Sequence, residues 1–73
     1  MRELAVVDVG LDEFEAMRLC DLEACDQEDA GSRMGVSRGT IQRLVYSGRK
    51  KLISAILSGK AVRIVSCPRK KTI

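Results

Sequence analysis

Arg38, Gln42 and Arg43 fall within one six-residue span of the stretch QEDAGSRMGVSRGTIQRL, residues 27–44. An arginine guanidinium can grip guanine O6 and N7 through two hydrogen bonds, and a glutamine amide can read adenine. Gly39 stands beside Arg38 and lets the backbone approach a partner closely. Farther on, the Tyr46 hydroxyl suits a phosphate oxygen, and the run Arg49, Lys50, Lys51 supplies cations for the same partner. Such a run can equally be a solvated face. The chemistry this pattern can perform is recognition of a duplex nucleic acid. Arg38, Gln42 and Arg43 are expected at base edges, and Lys50 and Lys51 at phosphates. The whole expected contact set is Ser37, Arg38, Gly39, Thr40, Gln42, Arg43, Tyr46, Ser47, Arg49, Lys50 and Lys51.

Side chains of this kind read a partner only from a rigid helix on a small scaffold. The same stretch supplies one. Asp26, with Asp29 three residues on, is a helix-start signal, and Cys25 occupies the staple position. A two-turn helix over 27–34 follows. Gly35 stops it, as a glycine able to take positive φ does just past a helix end. Ser37 caps a third helix that runs from Arg38 to about Leu57, roughly 30 Å long, and Gly59 ends it. Two helices joined by a short glycine-bearing turn form the helix-turn-helix unit. Gly31 is small where the second helix crosses the first. Ala30, Met34, Val36, Ile41 and Leu44 are apolar where the two must touch. A three-helix packing with no nucleic-acid role would have the same geometry. At 3.6 residues per turn, Ile41, Leu44, Val45, Gly48, Leu52, Ala55 and Ile56 share a core face. Gln42, Arg43, Tyr46, Ser47 and Lys50 share the opposite one. Gly48 weakens this helix by about 1 kcal/mol.

The remaining chain reads as follows. LAVVDVG, residues 4–10, and KAVRIV, residues 60–65, are β-branched and read as strands. A lone strand is not stable, so they should pair with each other or across a dimer. LDEFEAMRLCDLE reads as a first helix to about Leu22, with Asp12 as N-cap, Glu15 at the capping-box spacing and Leu11 as a staple. Its apolar residues cover more than one face, so it should pack on two sides. The expected fold is a single, mainly α domain over residues 1–73. It comprises an N-terminal strand (1–10), a three-helix helix-turn-helix core (11–59), a C-terminal strand (60–66) and a basic tail (67–73).

Composition narrows the function classes. A chain this short buries only about 60% of the surface its unfolded form exposes, so a second subunit is a reasonable support. Ile53 and Leu57 extend the outer face of the third helix and offer a patch for a homodimer or another protein. There is no histidine, so the usual general base and metal ligand are both missing. Cys20, Cys25 and Cys67 form no CxxC pair and read as small hydrophobes in a reducing compartment. With no phosphate loop and no convergent catalytic cluster, neither enzyme chemistry nor a cofactor, metal or small-molecule ligand is expected. No apolar run approaches a membrane span, and charges interrupt the N-terminal apolar stretch. A cytoplasmic protein is expected. The net charge of +3 hides an asymmetry: residues 1–29 hold ten acids and two bases, and residues 30–73 hold eleven bases and no acid. That division points to a polyanionic partner. Mutual neutralisation of the two halves is the alternative.

Three motifs carry a resemblance: the opening LDEFEA-RL-DLE, the centre Q-E-A-MGVSR-T-QRL and the closing GKA-RI. With them the chain from Leu11 to Ile64 resembles a domain-of-unknown-function family of small archaeal and bacterial proteins regarded as DNA-binding. That family is similar in turn to region four of bacterial sigma factors, whose helix-turn-helix reads a promoter element. The resemblance implies sequence-specific binding of double-stranded DNA by a transcriptional regulator, with no defined target. Contact with RNA polymerase or another transcription factor is the alternative role. The chain departs from the family pattern at its N-terminus, where MRELAVVDVG replaces a Pro- and Lys/Arg-rich arm. It departs also at Cys20, Gly31 and Gly48, where alanine is expected.

Overall fold

A computed structural model of the chain describes residues 5–66. Leu4 of the expected first strand, and the basic tail 67–73 with Cys67, lie outside the described residues. The elements in order are β1 (Val6–Gly10), α1 (Leu11–Met17), a π-helical turn (Arg18–Leu22), α2 (Gln27–Met34), α3 (Arg38–Ser58) and β2 (Ala61–Val65). The fold is mainly helical, with short strands at its two ends.

β1 and β2 pair with each other within the chain. They run parallel, with Val7 opposite Val62 and Val9 opposite Ile64. Parallel neighbours need a long crossover, and the whole helical unit provides it. Opposed residues share a face, so Val7, Val9, Val62 and Ile64 line one side of the ribbon. Asp8 and Arg63 lie on the other, where Arg63 Nε donates to Asp8 Oδ1 at 2.9 Å. Val9 is buried.

The first helix starts differently from expectation. Gly10, not Asp12, is the N-cap. The Gly10 amide donates to Glu13 Oε1 at 2.8 Å, and the Glu13 amide donates to Asp12 Oδ1 at 2.8 Å. β1 runs straight into α1 with no linker to hold a separate cap. The reciprocal carboxylate is therefore Glu13, three residues past Gly10. Glu15 instead pairs with Arg18 Nη2 at 2.9 Å. Leu11 becomes the first helical residue and is exposed rather than stapled. From Arg18 the helix widens: the Glu23 amide bonds the Arg18 carbonyl five residues back at 3.0 Å. Ala24, at φ +61°, then turns the chain so that the Cys25 amide reaches the Leu19 carbonyl at 2.9 Å.

α2 and its turn form as their sequence signals require. Asp26 Oδ1 accepts from the Asp29 amide at 2.8 Å, and Gly35 takes φ +73°. The Val36 amide then closes on the Gly31 carbonyl at 2.9 Å. The Val36 side chain, expected between the helices, is exposed. Its backbone does the packing instead, since a Cβ on Gly31 would lie 2.6 Å from the Val36 carbonyl oxygen.

The core is small: Ala16, Leu19, Ala30, Ile41 and Val45, with Cys20, Cys25, Met34 and Leu44 around them. Leu52 and Ile56, expected on the core face, are exposed at 37% and 67%. α3 has 21 residues and outruns its neighbours, so that beyond Gly48 only Ala55 is buried. Gly48 itself sits where α1 crosses, and a Cβ there would lie 3.3 Å from Glu13 Cβ.

Candidate nucleic-acid interface

α3 begins at a local cap. Ser37 Oγ accepts from the Thr40 amide at 3.2 Å and lies 3.0 Å from Thr40 Oγ1. The two hydroxyls thereby fix the start of the helix, and every residue that follows inherits its direction from them. Arg38, Gly39, Gln42, Arg43, Tyr46 and Lys50 are all exposed. Among the described residues, no carboxylate pairs with Arg38, Arg43 or Lys50.

Three expected members of the set are held by the fold itself. Ser47 does not lie on the outer face. Its hydroxyl donates to Glu13 Oε2, and Lys51 Nζ lies 2.9 Å from Glu13 Oε1. The reason is burial. Glu13 is only 7% exposed, and a buried carboxylate is costly unless hydrogen-bonded and paired. Ser47 and Lys51 stand four residues apart, so both reach the same point on α1. Burial pushes the Glu13 carboxyl up. The bonds from Ser47 and the Gly10 amide, with the Lys51 ammonium, outweigh that and hold it below the ordinary carboxylate value. Arg49 lies on the flank of α3 and forks onto Asp21, with Nε 3.2 Å from Oδ2.

Glu13 is the residue at this site that sequence reasoning missed. The available signal was charge: α3 contains no acid, so its cations find carboxylates only in the first 29 residues. The pairs Glu13–Lys51 and Asp21–Arg49 are those contacts, and Asp8–Arg63 joins the two strands in the same way. Among the described residues, mutual neutralisation of the two halves thus accounts for Arg33, Arg49, Lys51 and Arg63, and leaves Arg38, Arg43, Lys50 and Lys60 over, the first three of them on α3.

A cleft of about 680 Å³ opens between the π-helical turn, the start of α2 and α3. Arg38, Gln42, Tyr46 and Arg49 line one wall, and Asp21, Asp26 and Glu28 the other. Cys20 and Cys25 lie half-buried at its base. Desolvation raises both thiols, helped by Asp21 at Cys20 and by Asp29 at Cys25. Little reactive thiolate results. Among the described residues, no group of three or more acids or cysteines could hold a metal ion, and no helix is long and apolar enough to cross a membrane.

The family model described as "Protein of unknown function DUF134" matches residues 2–71. A UPF0251 protein of Moorella thermoacetica is 47% identical over 64 residues, which are 88% of this chain and 43% of that protein. One of Pyrococcus furiosus is 52% identical over 54 residues, 74% of this chain and 50% of that protein. One of Desulforudis audaxviator is 44% identical over 61 residues, 84% of this chain and 40% of that protein. The chain spans half or less of the length of these relatives. No solved structure matches it. With nearly its whole length matched and relatives this similar, the chain belongs to the DUF134 (UPF0251) family of small bacterial and archaeal proteins.

Proposed function

We propose that this chain binds double-stranded DNA in a sequence-dependent way, with the first turns of α3 in the major groove, and serves as a transcriptional regulator. One observation carries the reading. Arg38, Arg43 and Lys50 stand exposed on α3 with no carboxylate partner among the described residues, whereas Arg18, Arg33, Arg49, Lys51 and Arg63 are each ion-paired. An un-neutralised strip that also presents Gln42 offers both what phosphates attract and what base edges bond. The carboxylate wall of the cleft repels phosphates on one side, so the duplex approaches α3 from the side of Arg43 and Lys50. Work on DNA implies a cytoplasmic protein. Binding to random duplex DNA, followed by fluorescence anisotropy across a salt series, tests the reading. The logarithm of affinity should fall linearly with the logarithm of salt concentration. No binding to any duplex at low salt would remove it.

A second reading, contact with RNA polymerase or another transcription factor, is favoured by Ile53, Ile56 and Leu57, exposed at 55%, 67% and 81% on the second half of α3. DNA affinity that survives the salt test alongside polymerase capture would show both roles. Polymerase capture without DNA affinity would leave only this one.

A further inference from the structure

Cys20 and Cys25 are both free thiols at the base of the cleft, and both pack half-buried against the same core cluster. The backbone brings them together. The helix widens over Arg18–Leu22, Ala24 turns the chain at φ +61°, and the Cys25 amide closes on the Leu19 carbonyl at 2.9 Å. Leu19 is bonded to Cys20, so standard bond lengths on either side of that hydrogen bond hold the Cys20 and Cys25 Cα atoms within about 7 Å. A disulfide takes Cα atoms roughly 4.4–6.8 Å apart. A helix that ends on an αL residue commonly packs the next side chain against the one five positions before it. Here those two are Cys25 and Cys20.

We infer that Cys20 and Cys25 close an intrachain disulfide when the chain meets a low-molecular-weight disulfide, and so form a redox latch across the floor of the cleft. One cysteine thiolate attacks a sulfur of the reagent, whose S–S bond breaks and releases a first small thiolate. The second cysteine attacks the sulfur of the mixed disulfide, the Cys20–Cys25 bond forms, and a second small thiolate leaves. The two cysteines lose two electrons and two protons, and the reagent takes up both as two thiols. Desolvation keeps both cysteines protonated, which slows each attack. It also withholds from the reduced pair the thiolate stabilisation that makes a disulfide easy to reduce. The latch is therefore slow to close and slow to open. In a reducing compartment the thiols persist until such a disulfide accumulates. Once closed, the bond ties the turn that carries Asp21 to the residue before the Asp26 cap of α2. The latch stands whether or not the chain binds DNA.

The test is incubation of the 73-residue chain, carrying Cys67→Ser, with oxidised glutathione and no denaturant. Mass spectrometry should show the loss of two hydrogens and of both free thiols, with no disulfide-linked dimer. Proteolysis after Glu23 should leave the Cys20 and Cys25 peptides joined until a reductant is added. Adding Cys20→Ala should stop the reaction at a glutathione adduct on Cys25. An unfolded chain can also close so short a loop, so the melt decides whether the fold fits the bond. Closing the six-residue loop should raise the folding equilibrium constant roughly 40-fold, and the oxidised form should melt above the reduced one. An oxidised form that melts no higher overturns the inference. So do glutathione adducts that persist with both cysteines present, dimers linked through them, or thiols that stay free throughout.

Discussion

The Ser47 hydroxyl donates to Glu13 Oε2 and ties the middle of α3 to the first turn of α1. The same carboxylate takes the Gly10 amide and the Lys51 ammonium. One residue therefore fixes the entry of β1 into α1 and the angle at which α3 leaves the core. Its carboxyl is held below its ordinary value of 4.5. A depressed folded-state value means that the stabilisation is fully present above the unfolded value and is lost as pH falls through the folded one. Glu13→Gln should cost about 2 kcal/mol near neutrality, the range for hydrogen bonds to a charged group. The gap to the wild type should then narrow on acidification below about pH 4.5. Thermal melts of both proteins across the acid range check this. Parallel curves would show that the carboxylate charge is not what holds the contact.

Gly31 is the second point where the scaffold has no slack. A Cβ there would lie 2.6 Å from the Val36 carbonyl oxygen, and a backbone atom inside a capped turn cannot swing away as a side chain can. Gly31→Ala gains up to about 1 kcal/mol of helix propensity. It must also open the turn, and overpacking of this kind costs typically 1–3 kcal/mol. Net destabilisation of about 1–2 kcal/mol is expected, read from urea unfolding with an unchanged slope. A variant more stable than the wild type would mean that the turn can relax around alanine.

The signals that were legible in the sequence are those closed within a few residues. Asp26 meets the Asp29 amide, Ser37 meets the Thr40 amide, and Gly35 and Gly59 take positive φ just past their helices. Each depends on neighbours three or four positions away, which a sequence displays directly. The errors share the opposite feature. Ser47 lies 34 residues from Glu13 and Lys51 lies 38, so no local pattern announces those bonds. A helical wheel assumes a single core direction, but α1 crosses α3 at Gly48 and draws Ser47 and Lys51 in from the flank. The same assumption extends the core to Leu52 and Ile56, where the short first helix no longer covers α3. The sequence points to Asp12 rather than Gly10 at the start of α1, because Gly10 has no capping side chain and Asp12 is the conspicuous polar residue beside it.

The Asp21–Arg49 pair yields a prediction that opposes intuition. Both side chains are about half exposed, and a surface ion pair of that kind is worth roughly 0–1 kcal/mol. Asp21→Asn should therefore leave the melting temperature nearly unchanged. It frees the Arg49 guanidinium and removes one carboxylate from the wall beside Tyr46. If the chain binds DNA, affinity should rise for all sequences alike, and the salt dependence should steepen by about one unit. Binding isotherms at two salt concentrations report both quantities. A weaker complex would mean that Asp21 orients Arg49 for its contact rather than withholding it.

Reading and gripping should separate on α3 itself. Arg43 stands in the second turn and Lys50 about two turns later, both exposed, so a helix whose start enters a groove carries the first to base edges and the second to the backbone. Loss of a bidentate base contact should cost roughly 1–3 kcal/mol on a preferred site and little on random sequence. Loss of a phosphate contact should weaken binding uniformly and lower the salt slope by about one unit. Arg43→Ala should thus flatten the preference between a selected site and a scrambled one, while Lys50→Ala should keep the preference and lower affinity for both. Neither position touches the core, so the two variants should melt with the wild type, and any change in binding belongs to the interface. Equal weakening of both sites by Arg43→Ala would move the reading face toward Arg38 and Gln42. No change in either variant would shift the balance to the protein-contact role of Ile53, Ile56 and Leu57.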